Sequence, residues 1–429
     1  MILNDKKTIN AWCSYDWANS VYNLIVTTAI FPIYYNSATK AAFDGDIVTF
    51  FGFSINSSVL YSYAISFSFL IAVILYPILS GVADYRGSKK AFMRFFTYLG
   101  SLACIGLYFF EGSNIEYGIL LAITASLGYA SSVVFYNAFL PEIASEDQMD
   151  KVSAKGFSMG YIGSVLLLII SLVLVSIPET FGFDGAGSAT RFVFLLVGLW
   201  WFAFAHIAFN VLQDNRTHGK ITGEVLKSGF NELKKVFSSL KENINSIRFL
   251  YSFFFYSMGV QTVMLLAPLF AAEEIGMESN EMIIVILIIQ LVAVGGAYLF
   301  ATISDKKGNK TSITIAIIIW FSICILAYFI GDKTIFYGLA GLLGLVMGGI
   351  QSISRSTYSK LIPEGTKDTA SYFSFYDVTE KFAIVLGTMG FGYILQLTGT
   401  MRNSMLFMGV FFAIGLIILS RAKLNKSTT

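Results

Sequence analysis

The sequence predicts an all-α membrane protein, with twelve transmembrane helices arranged as two pseudo-symmetric six-helix bundles. Three observations carry that expectation. The 429 residues are 55% hydrophobic and only 13% charged, with mean hydropathy +0.69, whereas water-soluble domains carry about 25% charge. Apolar stretches of roughly 20 residues, the length that crosses about 30 Å of hydrocarbon, recur along the whole chain. The two halves of the chain also repeat each other in register.

The stretches run 13–35, 59–82, 92–110, 117–139, 157–177, 192–212, 249–271, 282–303, 312–330, 334–353, 372–397 and 403–420. Each must be helical, because an open strand in lipid leaves its backbone groups unpaired and no barrel-type alternation is present. Lys6 and Lys7 precede the first stretch as in a signal peptide, but no small-x-small cleavage site follows, so it reads as a retained span. Basic residues alternate sharply between the two sides: 24 of the 29 Lys and Arg fall on the side of the termini, only Lys40, Arg191, Lys333 and Arg402 fall opposite, and Lys381 lies inside a span. Short cytoplasmic loops retain Lys and Arg. Both termini are therefore expected in the cytoplasm, in a cell inner membrane or, in a eukaryote, an organelle membrane.

The organisation expected is a bundle over 1–212, a linker over 213–248 and a second bundle over 249–429. In the linker Leu226, Phe230, Leu233, Phe237 and Leu240 recur at helical spacing between lysines, which describes an amphipathic helix on the membrane surface or a solvated linker helix. Two landmarks give the repeat. Val82-Ala83-Asp84-Tyr85-Arg86-Gly87-Ser88-Lys89 is matched by Ile303-Ser304-Asp305-Lys306-Lys307-Gly308-Asn309-Lys310, the aspartates 221 residues apart. Leu140-Pro141-Glu142 is matched by Ile362-Pro363-Glu364 at an offset of 222, so duplication of a six-span unit is the economical reading.

The Asp-x-x-Gly-x-basic loop after the second span of each half resembles the signature of the major facilitator superfamily. Tyr15-Asp16-Trp17-Ala18-Asn19-Ser20, Phe135-Tyr136-Asn137-Ala138-Phe139-Leu140-Pro141-Glu142, and Phe375-Tyr376-Asp377 with Lys381-Phe382 resemble its vacuole-effluxer-like branch, related to the autophagy-associated vacuolar amino-acid effluxer. Where the superfamily has glycine four residues before the aspartate, this chain has Ser80 and Ala301. The resemblance implies a major facilitator fold and alternating access to a central cavity lined by spans 1, 4, 7 and 10. It also implies a latch in which Asp84 docks against span 11 while the loop lysines Lys89, Lys90 and Lys310 bind nearby acids. Independently of any family, Gly87 and Gly308 suit turns at positive φ, and Asp84 and Asp305 sit where a carboxylate can meet a helix N-terminus; both loops also serve as simple topology signals.

Charges inside the spans are costly, at least about 2.5–3.5 kcal/mol each on insertion scales, and mark function by default. They are Asp16, Asp377, Glu380 and Lys381, the candidates for coupling. Asp377 and Lys381 are spaced for a helical ion pair, which leaves Asp16 and Glu380 to be balanced by a proton, a sodium ion, a substrate ammonium or Arg355. Asp16, Asn19, Asn23 and Thr27 form a polar stripe on span 1 that must face other helices or a cavity. With the lining spans that the resemblance implies, the further cavity candidates are Tyr129, Tyr136, Asn137, Tyr256, Gln261, Gln351 and Arg355. Each also serves as an ordinary interhelical hydrogen-bonding residue. His206, alone among aromatics, reads as structural. Small residues (Gly156, Gly160 and Ser164, Gly295 and Gly296, Gly344 and Gly348, Gly387 and Gly390) let backbones approach, either to slide between halves or as static packing.

These observations predict a secondary active transporter of a small solute, with amino-acid efflux implied by the resemblance and coupling to a proton or cation, working as a monomer in the bilayer. An uncoupled facilitator or channel is the alternative. An intramembrane serine hydrolase would have to use Gly156-Phe157-Ser158-Met159-Gly160, which fits G-x-S-x-G but opens a membrane helix rather than a strand-to-helix turn. Gly308-Asn309-Lys310-Thr311 lacks the rest of a phosphate loop. No metal site or cofactor is expected, Cys13, Cys104 and Cys324 show no paired spacing, and a net charge of +2 gives no footprint for nucleic acid.

Overall fold

A computed structural model describes residues 1–214 and 223–424, apart from the side chains of 223–230, 232, 233, 279 and 280. The first span is α1 (Lys6–Val21), a π-helical stretch (Tyr22–Ala29) and α2 (Phe31–Ala42). Asp5 starts it by accepting the Thr8 N–H at 2.9 Å. Pro32, in the first turn of α2, has no N–H to close on the preceding turn, and the helix is re-started there. A hairpin of β1 (Ile47–Phe50) and β2 (Phe53–Asn56) follows on the far side from the termini, turning through Phe51 and Gly52 at positive φ. The sequence reading had no strand here, because four-residue strands outside the membrane lack the length of a barrel signal.

The first half continues with α3 (Ser57–Arg86), α4 (Lys89–Gly106), α5 (Ile115–Asn137), the short α6 (Leu140–Ile143), α7 (Met149–Ser176) and α8 (Ala186–Val211). The connection contains α9 (Gly223–Glu242). The second half is α10 (Ile244–Glu273), α11 (Ser279–Lys307), α12 (Asn309–Phe329), α13 (Lys333–Leu361), α14 (Thr369–Thr398) and α15 (Met401–Ser420). Among the described residues eleven helices are long and apolar enough to cross a membrane; the first span, interrupted by its π stretch, makes the twelfth. The helices α10 and α14 begin several residues before the apolar windows at 249 and 372. The first turn of α14 is occupied by contacts with Asp84, Lys89 and Glu142, whereas α10 opens with the exposed Ile244.

The halves meet along α7 with α11 and α13, and along α3 and α5 with α14. Most of the paired glycines pack within one half; Gly156, where an added Cβ would lie 3.0 Å from Arg355 of the other half, is the exception. A Cβ on Gly296, Gly344 or Gly348 would strike the backbone of Leu345, Ile289 or Ala293 within the second half, and one on Gly163 or Gly387 would strike Trp17 or Met258 within its own half. In this structure Gly296, Gly344 and Gly348 bring α11 close to α13, and Gly160 brings α7 close to α1.

The linker helix also departs from expectation. Val236 and Leu240 are buried, and α9 packs on α3 instead of lying free on a membrane surface. Phe237 stacks on Phe375 at 5.9 Å, and Leu226, Phe230 and Leu233 lie outside the described side chains.

Candidate functional site

A cavity of about 330 Å³ opens between the halves, walled by the first span, α3, α5, α7, α10, α11, α13 and α14. Of the predicted lining residues, Asn23, Thr27, Tyr129, Asn137, Tyr256, Gln261, Gln351 and Arg355 face it, as do Asp16, Asp377, Glu380 and Lys381. Asn19 and Tyr136 do not. Asp16 and Asn19 both lie on α1, before the π stretch, and there Ser20, four residues after Asp16, faces the cavity in place of Asn19. Asn19 is buried in the packing, its Oδ1 accepting from Ser20 at 3.4 Å. Tyr136 stands behind the wall and donates its hydroxyl to Asp16 at 2.7 Å.

Toward the termini the cavity ends on a buried ion pair that joins the halves. Arg355 of α13 places Nη1 3.2 Å from Asp16 Oδ2 and donates to the Ser153 hydroxyl at 3.0 Å, the Ser153 carbonyl at 2.9 Å and Asn137 Oδ1 at 3.4 Å. Its guanidinium also lies over the rings of Phe157 at 4.1 Å and Trp12 at 4.8 Å, a desolvated cation–π setting. Sequence reasoning offered Arg355 as a balancing charge and a cavity candidate although the apolar window closes at 353. The helix in fact runs on to Leu361 and turns this residue inward. Ser153 and Phe157 were missed; their only signal was a position one turn apart on the first part of span 5.

The acids of α14 pair differently from the spacing rule. Lys381 meets its neighbour Glu380 at 3.3 Å, and Gln261 donates to the other Glu380 oxygen at 2.7 Å. Lys381 also lies 5.6 Å from the ring of Phe69. Asp377, not Glu380, is the acid left over, with Oδ2 buried and unpartnered. Tyr256 is tied to Ser354 at 2.7 Å, and Gln351 accepts from Tyr161, a third residue missed from span 5, at 2.6 Å.

Below this floor the two repeated loops are built differently. Asp84 accepts the N–H groups of Ala370 at 3.1 Å and Ser371 at 2.7 Å, in the first turn of α14. Lys89 holds Glu142 and donates to Thr369 at 2.6 Å. Gly87 ends α3 at φ +58°, and Gly308 turns between α11 and α12 at φ +85°. Asp305, however, is a half-exposed partner of Lys151 at 3.1 Å. The buried acid on that side is Asp150, in the first turn of α7, which accepts from Ser304 at 2.8 Å, Asn309 at 2.9 Å and Lys360 at 2.8 Å. An acid already occupying the helix start displaces the loop aspartate. The ammonium groups of Lys90 and Lys310 go to carbonyls, while the Lys90 backbone N–H donates to Asp214 Oδ1 at 2.7 Å. Lys90 donates to the carbonyls of Phe209 and Leu212 after α8, Lys310 to those of Ser420 and Ala422 after α15, each closing a helix end in its own half.

Ser158 points to the Val294 carbonyl at 3.3 Å inside an unbroken helix, and His206 is held between Tyr98 at 2.9 Å and the Phe202 carbonyl at 2.7 Å; His218 lies outside the described residues. Among the described residues no group of His, Cys, Asp and Glu could hold a metal ion.

Residues 4–429 match the family model described as vacuole effluxer Atg22 like. The chain is 31% identical over 425 residues to the uncharacterized MFS-type transporter YxiO of Bacillus subtilis, covering 98% of this chain and 96% of that one. It is 26% identical to autophagy-related protein 22-1 of Penicillium rubens, over 85% of this chain and 75% of that one. In fold it is similar to the major facilitator transporter FucP in its outward conformation, with TM-score 0.70 at 14% identity over 97% and 98% of the two chains. It is likewise similar to a human organic anion transporter, with TM-score 0.72 at 10% identity over 97% and 100%. The protein is thus a multi-pass membrane transporter rather than an enzyme, and the chain belongs to the vacuole effluxer Atg22-like family of the major facilitator superfamily.

Proposed function

We propose that this protein carries a small zwitterionic solute, an amino acid being the class that fits, by rocking the halves 1–212 and 249–429 about the linker 213–248, with a cation coupled to the cycle. It does so as a monomer in a cell membrane with both termini in the cytoplasm. The observation that carries the reading is the Asp16–Arg355 pair on the cavity floor, one charge from each half and both buried. A buried charge deprived of its partner costs several kcal/mol. A solute offering a carboxylate to Arg355 and an ammonium to Asp16 replaces the pair without leaving either charge bare. It thereby removes a bond that holds the halves together, and differential affinity of that kind is what shifts a two-state equilibrium.

The polar contacts between halves lie from the level of Gln351 and Lys381 toward the termini, which supports an outward-open state closed at the terminus side. The test is counterflow of labelled amino acids, organic anions and sugars in proteoliposomes. Amino acids are expected to exchange. Arg355→Lys, which keeps the charge but loses the planar fork, and Asp16→Asn are each expected to lower exchange tenfold or more, roughly 1.4 kcal/mol of transition-state stabilisation or greater. Exchange at wild-type rate in both variants would remove the floor pair from the mechanism. Failure of preloaded amino acid to accelerate uptake would turn the reading to a channel.

A further inference from the structure

The cavity wall carries five charges: Asp16, Asp377 and Glu380 against Arg355 and Lys381, a net charge of −1. Asp16 is matched by Arg355 and Glu380 by Lys381, so the excess negative charge belongs to Asp377. That residue is 4% exposed and its Oδ2 has no partner. Two more orphaned oxygens lie in the same seam. The Tyr76 hydroxyl of α3 is unpartnered in a residue 2% exposed, and the Ser131 hydroxyl of α5 is unpartnered in a residue 0% exposed. Tyr76 neighbours Ser131 and stands within the field of both Asp377 and Glu380, and α14 packs on α3 and α5. Neither Tyr76 nor Ser131 lines the solute cavity.

Buried hydroxyls and carboxylates are almost always hydrogen-bonded. Tyr76 Oη, Ser131 Oγ and Asp377 Oδ2 are each buried without a hydrogen-bond partner on three helices that pack against one another, and an intervening ligand is the physical explanation. The set is all oxygen, one of it anionic, which is the donor chemistry of a hard cation, and the charge deficit is a single unit. We propose that Tyr76, Ser131 and Asp377 bind one monovalent alkali cation, of sodium size, between α3, α5 and α14. This deepens the transport reading above by giving its coupling ion a place at the edge of the solute cavity, where Asp377 forms part of the wall. Because α3 and α5 belong to one half and α14 to the other, occupancy bridges the halves on one face while the Asp16–Arg355 pair bridges them at the floor.

The test uses the purified full chain in detergent, with sodium chloride exchanged for choline chloride at constant ionic strength, at neutral and at mildly acidic pH. Melting temperature and intrinsic tryptophan fluorescence are read in the presence and absence of an amino-acid panel. Sodium is expected to raise the melting temperature saturably over choline. Asp377→Asn should abolish that rise while remaining monodisperse, Tyr76→Phe and Ser131→Ala should raise the half-saturating concentration roughly tenfold or more, and Asp377→Glu should retain a response. No sodium-specific rise in the wild type, a rise that persists in Asp377→Asn, or stabilisation by acid alone that Asp377→Asn removes would each overturn the site, the last in favour of a proton. Amino-acid stabilisation in the same samples separates the two readings: its loss with sodium binding intact sinks the zwitterion site and leaves the cation site standing.

Discussion

Arg355 has its guanidinium fixed by Asp16, Ser153 and Asn137 and flanked by aromatic rings, so small steric changes beside it have large effects. Gly156 lies in that contact. A Cβ there would sit 2.6 Å from Asp16 Oδ2 and 3.0 Å from Arg355 Nη2. Gly156→Ala is therefore expected to cost about 1–3 kcal/mol by overpacking and to weaken amino-acid stabilisation of the purified protein. Gly295→Ala, with nothing within 4 Å, should stay within about 0.5 kcal/mol. Melting curves of the two variants side by side check this; equal loss in both would mean that the close approach at Gly156 is not what fixes the floor. The glycine was visible in the sequence as one of a pair four apart, yet its neighbours were not. Spacing says that a backbone approaches something, but only the fold says that the something is an ion pair from two helices.

At the scale of single elements, the duplicated loops show where a sequence repeat stops predicting its own chemistry. The offset of 221 residues paired Asp84 with Asp305, and the turn glycines do end corresponding helices. The acids diverge because α7 starts with Asp150 while α14 starts with Thr369, Ala370 and Ser371, which offer only backbone N–H and hydroxyl groups. Asp84→Ala removes the acceptor of two helix-start N–H groups and should destabilise the closed terminus side by about 1–2 kcal/mol. Asp150→Ala strands Lys360 and Asn309 together in a buried place and should cost more, about 1–3 kcal/mol or above. Asp305→Ala breaks a half-exposed pair worth under about 1 kcal/mol. Reagent labelling of Ser352→Cys, buried between the halves, in a chain with Cys13, Cys104 and Cys324 replaced by alanine, reads this order as rising reactivity. Asp305→Ala ranking with Asp150→Ala would contradict it.

Over the whole molecule, the number of spans, their order and the duplicated halves were legible, because bilayer thickness and the positive side leave their marks on every segment. The π break, the outer hairpin and the docking of α9 were not, since each depends on a local phase change or on a surface supplied by another element. The choice of partners was only partly visible: Arg355 was one of several charges offered to Asp16 and reaches it across the halves, while Lys381 takes its neighbour Glu380 against the helical spacing. That seam decides how the molecule moves. The Asp84 and Asp150 contacts share no residue, and a floor ion pair lies between them. If the halves rock as rigid bodies, both contacts break in one event, and weakening either one shifts the same equilibrium. Asp84→Ala should then raise the labelling of a cysteine at Thr357, beside the Asp150 contact and 2% exposed, by the same factor as one at Ser371 beside Asp84 itself. A shift of about 1–2 kcal/mol makes that factor roughly 5–30. Local fraying would raise labelling at Ser371 alone, and the halves would then have to be described as opening piecemeal, one latch at a time.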